Sequence, residues 1–203
     1  MTLADPALCL RDPKAMLANT LDALGDAGGD LWVFGYASLI WRPEFHADEQ
    51  SGAVVHGWHR ALAMRSRINR GTPECPGLVF ALVPGGSCRG MVYRIERRRA
   101  AAELERLWAR EMPNGVYDPK WLVCRTPAGP VNALAFTLNR NSPAYVGAVP
   151  DEQMLSVLRS ARGRFGSTLD YLIDTARSLN DCGIRDRDVE RLVALARGHA
   201  LTA

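Results

Sequence analysis

Lysine, cysteine and long apolar segments are scarce in this sequence of 203 residues. Only Lys14 and Lys120 are lysines, and the five cysteines are widely spaced without a CxxC pair, which disfavours a disulfide framework or a zinc site. No run of about 18 uncharged apolar residues occurs, and the first residues lack a basic segment followed by an apolar one. We therefore expect a cytoplasmic, reduced protein with no metal and no membrane partner.

The net charge of +3 is too close to zero to indicate a polyanionic partner, so we expect no binding to nucleic acid. Arginine supplies 23 of the 25 basic residues, which would suit the capture of carboxylates or phosphates. A coding preference for arginine is the simpler explanation. The triplet Arg97-Arg98-Arg99 stands at a predicted helix start without interleaved aromatic residues, and we interpret it as a solvated face.

Hydrophobic residues make up 47% of the chain and charged residues 23%, as is typical of globular proteins. The length predicts one large domain, or one domain with an appended helical tail, and neither a linker nor a repeat divides the chain. We interpret residues 1–203 as a single α+β domain. An antiparallel-rich sheet or barrel comes first, and the C-terminal third is helical.

Local patterns predict the individual elements. A helix should run from the Asp12-Pro13 cap to the Gly28-Gly29 stop. Apolar and β-branched runs predict strands at 31–40 (leaving through a turn near 35–38), at 52–70 (one or two strands), 78–83, 88–95, 121–124 and 131–138. The PGGS sequence at 84–87 predicts a hairpin between the two strands that flank it. Further helices are expected at 97–112, 151–162, 187–197 and, with Ser167 and Asp170 as a capping pair, 168–179.

Glu111 continues by three residues the apolar positions 104, 107 and 108 of the predicted helix. Its carboxylate should therefore point toward the core. Burial raises the pKa of a carboxyl group and lets its carboxylate act as a general base near neutral pH. The alternative is that Glu111 lies at the frayed helix end and pairs with a nearby arginine. Spacing alone leaves both interpretations open.

The segment Gly35 to Leu39 follows an apolar strand and is predicted to form a turn. Successive N–H groups in such a turn can surround an anion such as a carboxylate, and Tyr36 and Ser38 add hydroxyl groups. The alternative is a polar break between two buried strands. The sequence has no GxxxxGK[ST] or GxGxxG motif, which argues against nucleotide binding.

Histidine chemistry is not expected. Ser38 would need a histidine base to act as a nucleophile, and none of the four histidines lies in a suitable context. His56 and His59 are three residues apart in a strand-like stretch. They should face opposite sides of the sheet and so not share a metal ion.

Four blocks of sequence carry a family resemblance. They are WVFGYASLIWRPEF at 32–45, HRALAMRSRINRGTPECPGLVFALVPGGSCRGMVYRI at 59–95, REMPNGVYDPKWL at 110–122, and NSPAYVGAVP together with the later GSTLDYL. Together they resemble the ChaC-type, glutathione-specific gamma-glutamylcyclotransferases, and the resemblance runs from about residue 31 to residue 195.

The resemblance implies a gamma-glutamylcyclotransferase-like fold, which is a small mixed β-barrel surrounded by helices. Residues 1–30 would be an N-terminal helical extension, 31–138 the barrel core and 151–198 the C-terminal helices. It also implies a reaction without a cofactor, in which the γ-glutamyl amine attacks its own side-chain amide. The products are 5-oxoproline and, from glutathione, cysteinylglycine.

The resemblance also implies roles for individual residues. Glu111 falls on the catalytic glutamate of the family, and Tyr117 falls on a tyrosine that lines the pocket. The family's YGSL substrate-binding turn corresponds to Tyr36, Ala37, Ser38 and Leu39. Ala37 replaces the family's glycine. A positive φ there would cost alanine about 1 kcal/mol or more, whereas a negative φ would keep the turn's N–H groups in place.

Other functions remain open on the sequence. The protein could act on other γ-glutamyl amines or peptides, or it could bind or sense a γ-glutamyl compound with little catalysis. Ala37 favours the binding protein slightly, and Glu111 argues against it. An arginine-mediated nucleic-acid binder would show a contiguous basic face and a steep dependence of affinity on salt.

Overall fold

The structure is a computed structural model that describes residues 11–202. The first ten residues of the predicted N-terminal extension lie outside this range. The helices are α1 (Pro13–Ala27), α2 (Ser38–Trp41), α3 (Arg97–Glu111), α4 (Asp151–Ser160), α5 (Thr168–Asp181) and α6 (Arg187–Gly198). The strands are β1 (Leu31–Gly35), β2 (Glu49–Ser66), β3 (Gly77–Ile95), β4 (Asp118–Thr126), β5 (Gly129–Thr137), β6 (Arg162–Gly163) and β7 (Gly166–Ser167).

Strands β1 to β5 form a closed barrel in the order β1-β3-β2-β4-β5. Neighbouring strands in this order are antiparallel, and β1 and β5 close the barrel in parallel at Val33 and Leu134. A second parallel contact joins β3 to β5 at Leu82 and Thr137. The predicted α+β class, a mixed barrel with helices around it, is therefore confirmed.

The chain does not turn back at the PGGS sequence, so the predicted hairpin between 78–83 and 88–95 was wrong. Strand β3 continues through it, and both halves of β3 pair with β2. Gly85 and Gly86 have φ angles of +105° and +71°, which glycine adopts at little cost. The register with β2 shifts opposite these glycines. They therefore form an irregularity within one long strand instead of a turn.

The structure confirms both predicted ends of α1 and the predicted start of α5. The Asp12 side chain accepts a hydrogen bond from the Lys14 N–H at 2.9 Å, and Gly28 ends α1 with a φ of +69°. Ser167 and Asp170 form a reciprocal capping box at the start of α5, with both hydrogen bonds at 2.9 Å. Side chains thus satisfy N–H groups that a helix leaves unpaired.

The core consists of two hydrophobic clusters that share the barrel strands. The inner cluster joins one face of all five barrel strands to α4, α5 and α6, and includes Phe34, Val55, Phe80, Cys88, Cys124, Ala133 and Leu172. The outer cluster packs α1 and α3 against the other face, and includes Leu31, Val33, Leu104, Trp108, Leu134 and Phe136. Alternation along the strands produces this division, because successive side chains point to opposite faces.

Across residues 11–202, we find no helix that combines the length and the apolar character needed to span a bilayer.

Candidate functional site

A small cavity has walls made of residues from both the inner and the outer cluster. It measures about 20 Å³, which is enough for one water molecule. Its walls are Tyr36, Ala37, Ser38, Leu39, Phe80, Glu111, Tyr117, Phe136 and Tyr171. All six residues that the sequence predicted for the site are among them. The cavity walls therefore come from five parts of the chain, which are 36–39, 80, 111–117, 136 and 171.

The predicted turn after β1 leads directly into the short helix α2. Ala37 is buried, and its φ of −146° is negative, so alanine at this position does not meet the positive-φ penalty. Within residues 11–202, no acceptor is found for the N–H groups of Ala37, Ser38 and Leu39. These three N–H groups are available to an anionic group of a ligand.

Glu111 is the last residue of α3 and places its carboxylate on the cavity wall. Its side chain is 15% exposed, and the Arg110 Nε atom lies 2.9 Å from Glu111 Oε1. Burial raises the pKa of the Glu111 carboxyl group, the Arg110 charge opposes the rise, and the charge of Glu44 adds to it. The structure thus combines the inward-facing carboxylate of the first interpretation with the arginine pair of the second, and the role of Glu111 as a general base stays a prediction.

Three tyrosines surround this carboxylate. The Tyr36 hydroxyl donates a hydrogen bond to the Phe136 carbonyl at 2.9 Å. Burial is the main cause that raises the pKa of Tyr36, Tyr117 and Tyr171 above the usual range, and the nearby Glu111 charge raises each further. The hydroxyl groups thus stay neutral near pH 7. Tyr36 uses its one proton on the Phe136 carbonyl, whereas Tyr117 and Tyr171 can donate to a ligand.

Sequence reasoning missed Tyr171 and Arg70. Tyr171 enters the cavity from α5, and the Arg70 guanidinium lies over its ring, 5.0 Å from the centroid. Arg70 also donates to the Phe165 carbonyl at 2.5 Å, so it joins the loop before β3 to the β6–β7 hairpin. Tyr171 belongs to the buried face of α5 with Leu172, and this periodicity could have indicated its burial but not its partner.

Arg60 was also missed, although it supports the turn. Its side chain is fully buried in the middle of β2. It donates to the carbonyl of Tyr36 and to the carboxylate of Asp186, and its third nitrogen donates to the Arg89 carbonyl at 2.5 Å. Asp186 in turn caps α6 by accepting from the N–H groups of residues 188 and 189. Arg60 therefore links the site to the C-terminal helices.

The remaining candidates do not converge on the cavity. None of the cavity-wall residues is a histidine, and the Ser38 hydroxyl accepts a hydrogen bond from Arg110 at 3.1 Å. Among residues 11–202, no group of three or more His, Cys, Asp or Glu side chains is placed to hold a metal ion. The arginine triplet is partly engaged at the surface, since Arg99 pairs with Asp48 and Arg98 with Glu96.

A closed five-stranded barrel with this arrangement of helices is the fold of the gamma-glutamylcyclotransferases. A crystal structure of a gamma-glutamyl cyclotransferase specific to glutathione from yeast matches with a TM-score of 0.75. The match covers 84% of this chain and 96% of the yeast chain, at 22% identity.

The chain belongs to the ChaC-like protein family, whose model matches residues 31–198. The glutathione-specific gamma-glutamylcyclotransferase of Escherichia coli K12 is 34% identical over 180 residues, which are 88% of this chain and 78% of that protein. Glutathione-specific gamma-glutamylcyclotransferase 1 of Homo sapiens is 32% identical over 170 residues, covering 81% and 76%. The family resemblance predicted from the sequence is confirmed.

Proposed function

We propose that this protein is a cofactor-independent gamma-glutamylcyclotransferase that cleaves glutathione into 5-oxoproline and cysteinylglycine, with Glu111 as the general base. The observation that carries the proposal is a buried carboxylate and three free N–H groups of residues 37–39 on the walls of one cavity. The names of the family relatives supply the substrate. A cytoplasmic location, where glutathione is abundant and reduced, is part of the proposal.

The reaction needs a base because the α-amino group of the substrate is mostly protonated near neutral pH and is then not nucleophilic. Glu111 accepts a proton from this nitrogen, which attacks the γ-carbonyl carbon and closes a five-membered ring. The bond from that carbon to the cysteine nitrogen then breaks. Two protons leave the attacking nitrogen and the departing nitrogen gains two, so no water is consumed.

The raised pKa of Glu111 suits both proton steps. A carboxylate with an ordinary pKa would bind the amine proton only weakly, whereas a desolvated one is a stronger base and, once protonated, can return the proton to the departing amine. The attacking and attacked groups belong to one molecule, which gives ring closure a proximity advantage. The protein therefore has to hold a folded conformer of the substrate and move protons.

Binding is assigned to the turn and the tyrosines. The N–H groups of residues 37–39 would hold either the substrate's α-carboxylate or the oxyanion that develops on the γ-carbonyl. Tyr117 would donate to a substrate oxygen, while the Tyr36 hydroxyl, whose proton goes to the Phe136 carbonyl, would accept a hydrogen bond from the substrate. No group in this scheme requires a metal, an organic cofactor or a nucleic acid.

The test is release of 5-oxoproline from glutathione by the purified protein, with Glu111→Gln compared to Glu103→Gln. Glu103 is a buried glutamate of the same helix that does not line the cavity, so it controls for effects on α3. We expect Glu111→Gln to lower the rate by about 10²- to 10⁴-fold, the usual contribution of a positioned base. Equal rates in wild type and Glu111→Gln would remove Glu111 from the mechanism.

A substrate panel separates the remaining functions. Faster turnover of another γ-glutamyl amine or peptide would reassign the substrate within the same chemistry. Tight binding of glutathione without any 5-oxoproline would identify a sensing protein.

A further inference from the structure

Arg110 contacts both Glu111 and Ser38, which lie on the wall of the candidate site. Its side chain is 18% exposed, and all three guanidinium nitrogens have partners. Nε lies 2.9 Å from Glu111 Oε1, and the second terminal nitrogen donates to the Ser38 hydroxyl at 3.1 Å. The first terminal nitrogen donates to the Arg42 carbonyl and lies 3.4 Å from Glu44 Oε2.

These contacts connect the base to both ends of α2. Ser38 begins α2, and Arg42 immediately follows it. A planar guanidinium presents its donors in a fixed fork, so contacts to these two residues and to Glu111 restrict all three groups at once. The contact of Arg110 Nε is made to Oε1 of Glu111. In the proposed reaction the other oxygen, Oε2, would receive the proton.

We infer that Arg110 is a positioning residue that sets the separation and orientation of the Glu111 carboxylate relative to the N–H groups of residues 37–39. This inference rests on the proposed function, since it assigns Arg110 a task in the same reaction. Small misplacements of a reacting group cost about 10²-fold in rate. Loss of Arg110 should therefore lower kcat more than it raises KM.

The pH dependence of activity provides a second test of the inference, because the charge of Arg110 acts on the Glu111 carboxyl group. The charged and titratable groups that face Glu111 are Arg110 on α3, Glu44 in the loop after α2, and the three tyrosines Tyr36, Tyr117 and Tyr171. Arg110 is the cation in this set, and it opposes the effect of burial on the carboxyl group. Removing its charge should move the acid limb of the activity profile to higher pH.

The experiment compares Arg110→Gln and Arg110→Lys with Arg98→Gln as the control. Arg98 lies on the same helix, is 78% exposed and pairs with exposed Glu96. We expect Arg110→Gln to lose about 10²-fold in kcat with a smaller change in KM, and its acid limb to move upward. Arg110→Lys keeps the charge but not the fork, so the limb should stay near its wild-type pH while kcat stays lowered. Arg98→Gln should match wild type in both.

The Glu111 titration provides a readout that does not need turnover. Glutamate labelled with ¹³C at the carboxyl carbon reports each pKa by NMR, and Glu111→Gln assigns the signal. We expect the Glu111 pKa to rise in Arg110→Gln and the amides of α2 to exchange faster with solvent. If wild type released no 5-oxoproline while these shifts occurred, the proposed function would fail and the structural coupling would stand.

Two results would overturn the inference. One is a large rise in KM with kcat and the acid limb unchanged, which would make Arg110 a substrate-binding residue. The other is an unchanged Glu111 titration together with unchanged amide exchange in α2. Should Arg110→Gln not fold, kcat of Arg110→Lys decides, since a wild-type kcat in that variant contradicts the need for the guanidinium fork.

Discussion

Replacing Arg60 by methionine tests how strongly one buried cation holds the barrel to the C-terminal helices. Methionine keeps much of the length of the side chain and removes every donor. In the structure these donors serve the Tyr36 carbonyl, the Asp186 carboxylate and the Arg89 carbonyl. We expect Arg60→Met to fold and to be markedly less stable, because its acceptors are left without the partner that burial demands.

The magnitude follows from the environment of each partner. Removing one member of a buried ion pair costs about 3–5 kcal/mol. The Asp186 side chain is 20% exposed and keeps the N–H donors of residues 188 and 189. The cost in unfolding free energy should therefore lie at the lower end of this range. We therefore expect Arg60→Met to lose about 3 kcal/mol of unfolding free energy. For a chain of this length that corresponds to a fall in Tm of about 6–12 °C.

Urea denaturation at pH 7 measures the loss, and Arg94→Met is the matched control. Arg94 lies on β3 with ion pairs at 2.9 Å to Asp30 and Glu49, but its side chain is 30% exposed. Such solvated pairs contribute about 0.2–1 kcal/mol each. The reasoning from burial is refuted if Arg60→Met loses no more stability than Arg94→Met.

The remaining predictions concern stability at three positions, all measured by urea denaturation. Ala37→Gly should lose about 1–2 kcal/mol, from one buried methyl group and added chain entropy, and a gain in stability would show that the backbone at residue 37 favours glycine. Gly163→Ala should lose about 1–3 kcal/mol, because a Cβ there would lie 2.5 Å from the Ile68 carbonyl oxygen, whereas Gly52→Ala meets no atom within 4 Å and should lose less. Glu111→Gln should become more stable relative to wild type as pH rises from 4 to 8. The reason is that wild type has to ionise a carboxyl group whose pKa in the folded state is raised by burial. A stability difference that does not depend on pH would show that Glu111 titrates normally.

Features that depend on residues close in sequence could be predicted, whereas features that depend on residues far apart in sequence could not. The ends of α1 and α5 were predicted correctly because caps are local, as with Asp12 and the Ser167–Asp170 pair. The PGGS sequence misled because the same glycines permit a tight turn or a bulge, and only pairing with β2 decides between them.

At the site, helical spacing was enough to turn Glu111 toward the interior. No local pattern could indicate that Arg60 reaches Asp186, which is 126 residues away, or that α5 delivers Tyr171 to the cavity. Arg110 is adjacent to Glu111 in sequence, yet its contacts with Ser38 and Arg42 depend on how α3 packs beside α2.

The candidate site lies where the inner and outer hydrophobic clusters meet, and its small size has a consequence for ligand binding. A cavity of about 20 Å³ holds a single water molecule, so in this conformation it does not fully enclose a group as large as a γ-glutamyl moiety. The two clusters lie on opposite faces of the same barrel strands and cannot slide past each other, so room for a larger ligand has to come from movement of wall groups such as residues 36–39 and Tyr171. Part of the binding energy of a larger ligand is then consumed in moving these wall groups. The ligands that bind most tightly are those that fit the cavity in its widened form.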